Sequence, residues 1–259
     1  MKKYIKYAFY LSIYLLIILL LIPFIYGQKP TAKDYYRTAA ELGIFLYLQY
    51  GIHADISDLE QNEPNSVDKY FRDQLRWDDS NMEWAKEASD ILLYGVFIGT
   101  LPIMPLFSKD DYMSMLLTNI EVLSINGTLT NLVKELVKRQ RPASYYKTRD
   151  EGEDAYRSFF SGHSSATFSI GTSTAMMLSR RFPEREPYIW TGCMGLAAAT
   201  AYFRVAADKH YMSDVLVGAL TGIAIGKMVQ NKRSNEYLSY GLSTRPESIQ
   251  LRLSINIAI

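Results

Sequence analysis

Three short blocks of this chain hold residues whose types and spacing suit phosphate chemistry. The first is Lys134, six further residues, then Arg141-Pro142. The second is Phe160-Ser161-Gly162-His163. The third is Arg204, five residues, His210, three residues, and Asp214. Together they supply three permanent cations, two of the chain's three imidazoles, a hydroxyl, a glycine and a carboxylate. Each block also has an ordinary reading. Lys138 and Arg139 flank the first, which then reads as a solvated basic helix end. Ser161 reads as a helix cap with a polar histidine beside it. His210 and Asp214 are spaced like a surface ion pair.

Taken jointly, the blocks point to chemistry. Lys134 and Arg141 lie seven apart, about two helical turns, so both are expected on one face before Pro142 stops the helix. An arginine fork and a mobile lysine at one helix edge can grip one anion. Ser161 is expected to cap a helix whose free N–H groups, with Gly162 allowing close approach, form a phosphate seat. His163, on the first turn, can give a proton to a leaving oxygen. Arg204 and His210 would face apart on one continuous helix, so residues 206–209 are expected to break it and fold the pair together. A carboxylate on one nitrogen of His210 fixes its tautomer and leaves the other as a nucleophile.

Helices must position these residues. Apolar periodicity and turn residues predict helices over about 31–51, 67–77, 81–107, 110–140, 164–181, 188–206 and 211–230. Pro102 and Pro105 are expected to bend or end the third. Asn119, Glu121, Asn126 and Asn131 make the fourth a poor lipid-facing span. Residues 52–64 read as a loop containing His53, and 143–159 as a polar connection. In that connection Tyr145, Tyr146, Lys147 and Arg157 lie where they can meet a substrate's remote part, and the acidic run 150–154 reads as a solvated loop. Glycines and alanines in the last two helices permit close helix contact. Ser248–Ile259 alternates with a period of two and reads as a strand, with 237–243 as its hairpin partner.

At the N-terminus no charge occurs between Tyr7 and Tyr26. Residues 1–27 therefore read equally as a secretory signal peptide and as a membrane anchor. Either sends the rest to the cell envelope, on the periplasmic or extracytoplasmic side. The expected division is then a helical extension over 28–80, a catalytic helical domain over 81–232 and a β-like tail over 233–259. Beyond residue 30 the uncharged windows fall short of the roughly 18 apolar residues of a confident span, which favours a membrane-associated, mostly water-exposed bundle. Net charge is +1, which gives no footprint for nucleic acid. The single cysteine, Cys193, cannot form an internal disulfide. Oligomeric state is not legible.

The three blocks resemble the signature of the type 2 phosphatidic acid phosphatase (PAP2) and vanadium haloperoxidase superfamily: Lys-x6-Arg-Pro, Pro-Ser-Gly-His and Ser-Arg-x5-His-x3-Asp. The resemblance covers roughly residues 85–230. Phe160 stands where the signature has proline and Phe203 where it has serine, and neither change removes a catalytic group. The resemblance implies an all-α bundle of about six helices and a phosphatase that needs no metal or cofactor. It implies His210 as nucleophile through a phosphohistidine, Asp214 as its orienting carboxylate and His163 as proton donor, then base. Lys134, Arg141, Ser161, Gly162 and Arg204 would hold the phosphate. The implied substrate is a lipid phosphate or diphosphate at the membrane surface. The alternatives are a soluble acid phosphatase acting on small phosphoesters, a vanadate-dependent haloperoxidase, a phosphotransferase and a non-catalytic membrane bundle.

Overall fold

Serine, threonine and glycine replace large side chains along two helices of this protein, and that substitution sets how closely its bundle closes. The computed structural model describes residues 30–51, 63–107 and 112–243. Six long helices occur among the described residues: α1 (Ala32–Gly51), α3 (Met82–Ile98), α4 (Tyr112–Val137), α6 (Gly162–Arg181), α7 (Glu186–Ala206) and α8 (Met212–Ser243). Two shorter ones join them, α2 (Ser66–Leu75) and α5 (Pro142–Tyr145). Helix α6 is central and packs against α8, α7, α4 and α3, while α1 lies on α4.

The buried face of α6 is small and polar: Ser164, Ser165, Ser169, Gly171, Thr172 and Ser173 among others. Helix α8 meets it with Gly218, Gly222 and Gly226, one turn apart. A Cβ at Gly222 would stand 2.3 Å from the Ser165 carbonyl oxygen and 2.9 Å from the Ser169 nitrogen. Those are backbone atoms, so nothing flexible can yield. Gly222→Ala is therefore expected to separate α6 from α8 and to destabilise the fold by about 1–3 kcal/mol, as overpacking does. A thermal melt in detergent checks this as a lowered Tm.

The polar residues of α4 face protein. Asn119 donates to the Thr100 carbonyl (2.9 Å) and accepts from Ser173 Oγ (2.9 Å). Asn126 donates to Ser165 Oγ (3.1 Å), and buried Glu121 accepts from Arg233 Nε (2.8 Å). Arg233 NH1 also reaches Asp34 of α1 (2.7 Å), which ties α1 to the far end of the bundle.

Two expectations need correction. Around Pro102 the α-helical pattern gives way, in keeping with the proline, but the helical run continues. The chain widens into a π turn over Gly99–Ile103 and tightens into a 3-10 turn over Met104–Phe107, which absorb the missing N–H. Span length is the first: the helical runs Met82–Leu106 and Met212–Arg233 are long and apolar enough to cross a membrane, although the uncharged windows fall short. Ile91, Tyr94, Ile98, Leu216 and Leu220 stand exposed along them. The C-terminal hairpin is the second. Residues 237–243 form the end of α8, so no β-like tail begins at residue 233. The expected strand over 248–259 lies outside the described residues, as do the N-terminal segment 1–27 and His53.

Candidate active site

All three sequence blocks meet at the end of the bundle where α4 and α7 stop and α6 and α8 start. Lys134 sits in the last turn of α4. The helix ends at Val137, Lys138 takes a left-handed φ of 46°, and Arg141 is extended, capping α5 with Pro142 at its start. Arg141 is thus not on the face of Lys134's helix, as the seven-residue spacing suggested; a turn carries it back. The Arg141 N–H donates to the Ala155 carbonyl (2.8 Å), and Ala143 N–H to the Asp208 carbonyl (3.0 Å), which joins the first block to the third.

Ser161 caps α6 as expected, accepting from the Ser164 N–H. Its own N–H donates to the Asp214 carbonyl (3.1 Å), joining the second block to the third. Lys134 Nζ lies 3.6 Å from where a Gly162 Cβ would be, so the glycine leaves the helix start open to the ammonium. Arg204 occupies the last turn of α7. The helix stops at Ala206, Asp208 turns left-handed (φ 57°), and the N–H groups of Lys209 and His210 both return to the Arg204 carbonyl (3.1 and 3.3 Å). That is the expected break, and it brings His210 back to Arg204.

His210 and Asp214 are fully enclosed, with His210 Nδ1 3.7 Å from Asp214 Oδ2. The carboxylate is held from the other sides: Oδ2 accepts from Ser158 Oγ (2.6 Å) and the Tyr211 N–H (2.9 Å), and Oδ1 from Arg139 NH1 (2.6 Å). His163 Nε2 lies 2.8 Å from Asp90 Oδ1 on α3, and Arg204 NH1 donates to the same oxygen (3.3 Å) and to Ser89 Oγ (3.1 Å).

The cations crowd one another. Burial and the neighbouring Arg141 push Lys134 down to about 7, and the same two causes push Arg204 down to about 10. Burial, then Arg141, Arg204, Lys134 and His163, hold His210 well below an ordinary imidazole. His163 falls to about 4 through burial and Arg204, against the opposing pull of Asp90. An oxyanion entering here would relieve every one of these repulsions, so the arrangement selects for negative charge. Neutral imidazole at His210 is also the form that can act as a nucleophile.

Several contributors were not legible in sequence. Asp90 lies in no motif and on a helix that reads as apolar. Glu151 belongs to the acidic run that looked solvated, yet it is buried, accepts from Arg149 Nε (2.7 Å) and Lys209 Nζ, and stands 3.6 Å from Arg141. Arg157 reaches Glu135 and Asn131 Oδ1 (3.0 Å), so it anchors the loop rather than facing a ligand. Arg139 looked like surface charge and instead holds Asp214. The two departures from the signature are filled by packing: Phe160 is buried, and Phe203 sits edge-on to Trp77 (5.7 Å) and Trp84 (5.8 Å).

Two imidazoles, three cations and a helix start are thus gathered at one end of the helical bundle. Residues 115–236 match the PAP2 superfamily. A similar fold occurs in the crystal structure of the first transmembrane PAP2 type phosphatidylglycerolphosphate phosphatase from Bacillus subtilis. The TM-score is 0.55 at 19% identity, over 77% of this chain and 97% of that one. The fold is therefore that of PAP2 phosphoric ester hydrolases, with membrane-length helices.

Proposed function

We propose that this protein is a metal-independent phosphatase of the cell envelope that hydrolyses a lipid phosphate monoester or diphosphate through a phosphohistidine. One arrangement carries the reading: Asp214 Oδ2 stands 3.7 Å from Nδ1 of the enclosed His210, and Arg141, Arg204 and Lys134 lie near enough to hold that imidazole well below its ordinary pKa. Nδ1 faces the carboxylate, so Nε2 is the free nucleophile. It attacks phosphorus in line while the bond to the leaving oxygen breaks, and His163 delivers a proton to that oxygen. The cations, Ser161 and the Gly162 N–H meet the charge that spreads over the equatorial oxygens. His163, now neutral, takes a proton from water, which attacks phosphorus, breaks the P–N bond and releases orthophosphate. The exposed apolar flanks of α3 and α8 support a substrate delivered from a bilayer rather than from solution.

Purified full-length protein should release phosphate from phosphatidic acid, phosphatidylglycerophosphate or an isoprenyl diphosphate in mixed micelles, with no added metal. Orthovanadate should inhibit by occupying the same site. Release from soluble sugar phosphates alone would make it a soluble-type acid phosphatase. Peroxide- and vanadate-dependent bromination without phosphate release would overturn the phosphatase reading.

A further inference from the structure

Helix α2 lies outside the segment that matches the superfamily, and the sequence assigns it no chemistry. In the structure it grips the turn that carries His210. Arg72 makes a bidentate pair with Asp208 (Nε–Oδ1 2.7 Å, NH2–Oδ2 2.7 Å) and stacks over the Tyr146 ring (3.6 Å to its centre). Trp77 N–H donates to the Ala206 carbonyl (3.0 Å). At the other end of α2, the buried Asp68 carboxylate accepts from Ser213 N–H (2.9 Å), Ser213 Oγ (2.8 Å), Asn65 Nδ2 (2.7 Å) and Arg139 NH2 (2.6 Å).

Arg139 is the link. One nitrogen of its guanidinium donates to Asp68 and the other to Asp214 Oδ1 (2.6 Å) and Ser213 Oγ (2.8 Å), while its plane covers the Tyr211 ring at 4.3 Å. The result is a line of alternating charge: Asp68, Arg139, Asp214, then His210. A lone arginine beside Asp214 would be free to swing or to pull the carboxylate off the imidazole. A second carboxylate on its far side fixes the fork in place and balances its charge.

We propose that Asp68 is a positioning residue of the catalytic apparatus, acting through Arg139 to aim Asp214 and so to hold the Nε2 of His210 toward phosphorus. Helix α2 is then part of the active-site architecture and not an appendage. This rests on the phosphatase reading above, and the two can fail separately.

The test is Asp68→Asn and Arg139→Lys, singly and together, in the full-length protein. Lysine keeps the charge but lacks the planar fork whose two nitrogens reach Asp68 and Asp214 separately, so it repeats the test should the asparagine variant fold poorly. Outer-shell partners of site residues are worth about 10–100-fold, and kcat should fall in that range with KM within about threefold of wild type. The double variant should lose no more than about twofold beyond the worse single one, because both changes cut one line. Binding supplies a second readout. Inorganic phosphate, held by the cations, should bind Asp68→Asn within about twofold of wild type. Orthovanadate, which takes a nitrogen ligand from His210, should bind about tenfold more weakly. A wild-type kcat in both single variants, or penalties that multiply in the double variant, would overturn the proposal. Wild-type protein that neither releases phosphate nor binds vanadate would instead overturn the reading of the site itself, and this proposal with it.

Discussion

His210→Ala should abolish turnover, with kcat at least about 10⁴-fold below wild type, as removal of a covalent nucleophile does elsewhere. No neighbour can take over. His163 is tied to Asp90 on α3, the guanidinium groups of Arg141 and Arg204 have no lone pair to offer, and a bound phosphate favours the charged form of Lys134. Binding should survive, because Lys134, Arg141 and Arg204 are untouched; a KM or phosphate Kd within a few-fold of wild type is expected. Folding should survive too. Nδ1 of His210 makes no hydrogen bond in the protein, so truncation strands no partner and leaves mainly a small cavity. Rapid quench with labelled substrate separates the outcomes. Wild type should yield an acid-labile phosphoenzyme, and the variant none. Wild-type phosphate release from the variant would remove His210 from the role of nucleophile.

Much of this site was readable because its residues come in short blocks with fixed internal spacing. A serine before a glycine, ahead of a helix, caps that helix in almost any tertiary context, so Ser161 was placed from local rules alone. The break after Ala206 was readable for a similar reason: without it, Arg204 and His210 could not share a site. Local rules fail where a contact crosses the sequence. Asp90 meets His163 from 73 residues away, and Asp68 meets Ser213 from 145 away. Neither distance leaves a mark in the spacing. Charge runs misled for the same reason. Arg139 and Glu151 look like solvated surface until the fold supplies a buried partner of opposite sign to each. Span length was underestimated because only uncharged windows were counted, whereas the run Met82–Leu106 reaches membrane length with its few charges included. The hairpin erred at residues 237–243, which were taken as a strand partner and instead finish α8.

His163→Ala should cost much less on a good leaving group than on a poor one, and the difference identifies its role. A positioned general acid is worth about 10²–10⁴-fold. An alkyl alkoxide cannot leave without a proton, so a lipid phosphate should lose close to the full amount. p-Nitrophenolate leaves unassisted, and its ester should lose about tenfold or less in the phosphoenzyme-forming step. The pH profile adds an independent check. His163 must be protonated to act as acid, so activity falls as pH rises through its pKa in the enzyme–substrate complex. Burial and Arg204 hold that pKa at about 4, and Asp90 opposes them. A bound phosphate dianion adds negative charge beside the imidazole and raises it, which carries the alkaline limb of kcat toward neutral pH. Asp90→Asn removes the one opposing carboxylate, so the same limb should move to lower pH. In His163→Ala the limb should vanish from the alkyl substrate's profile. Equal losses on alkyl and aryl esters, with the limb unmoved in both variants, would mean that the leaving group takes its proton from water and that His163 serves only to shape the phosphate seat.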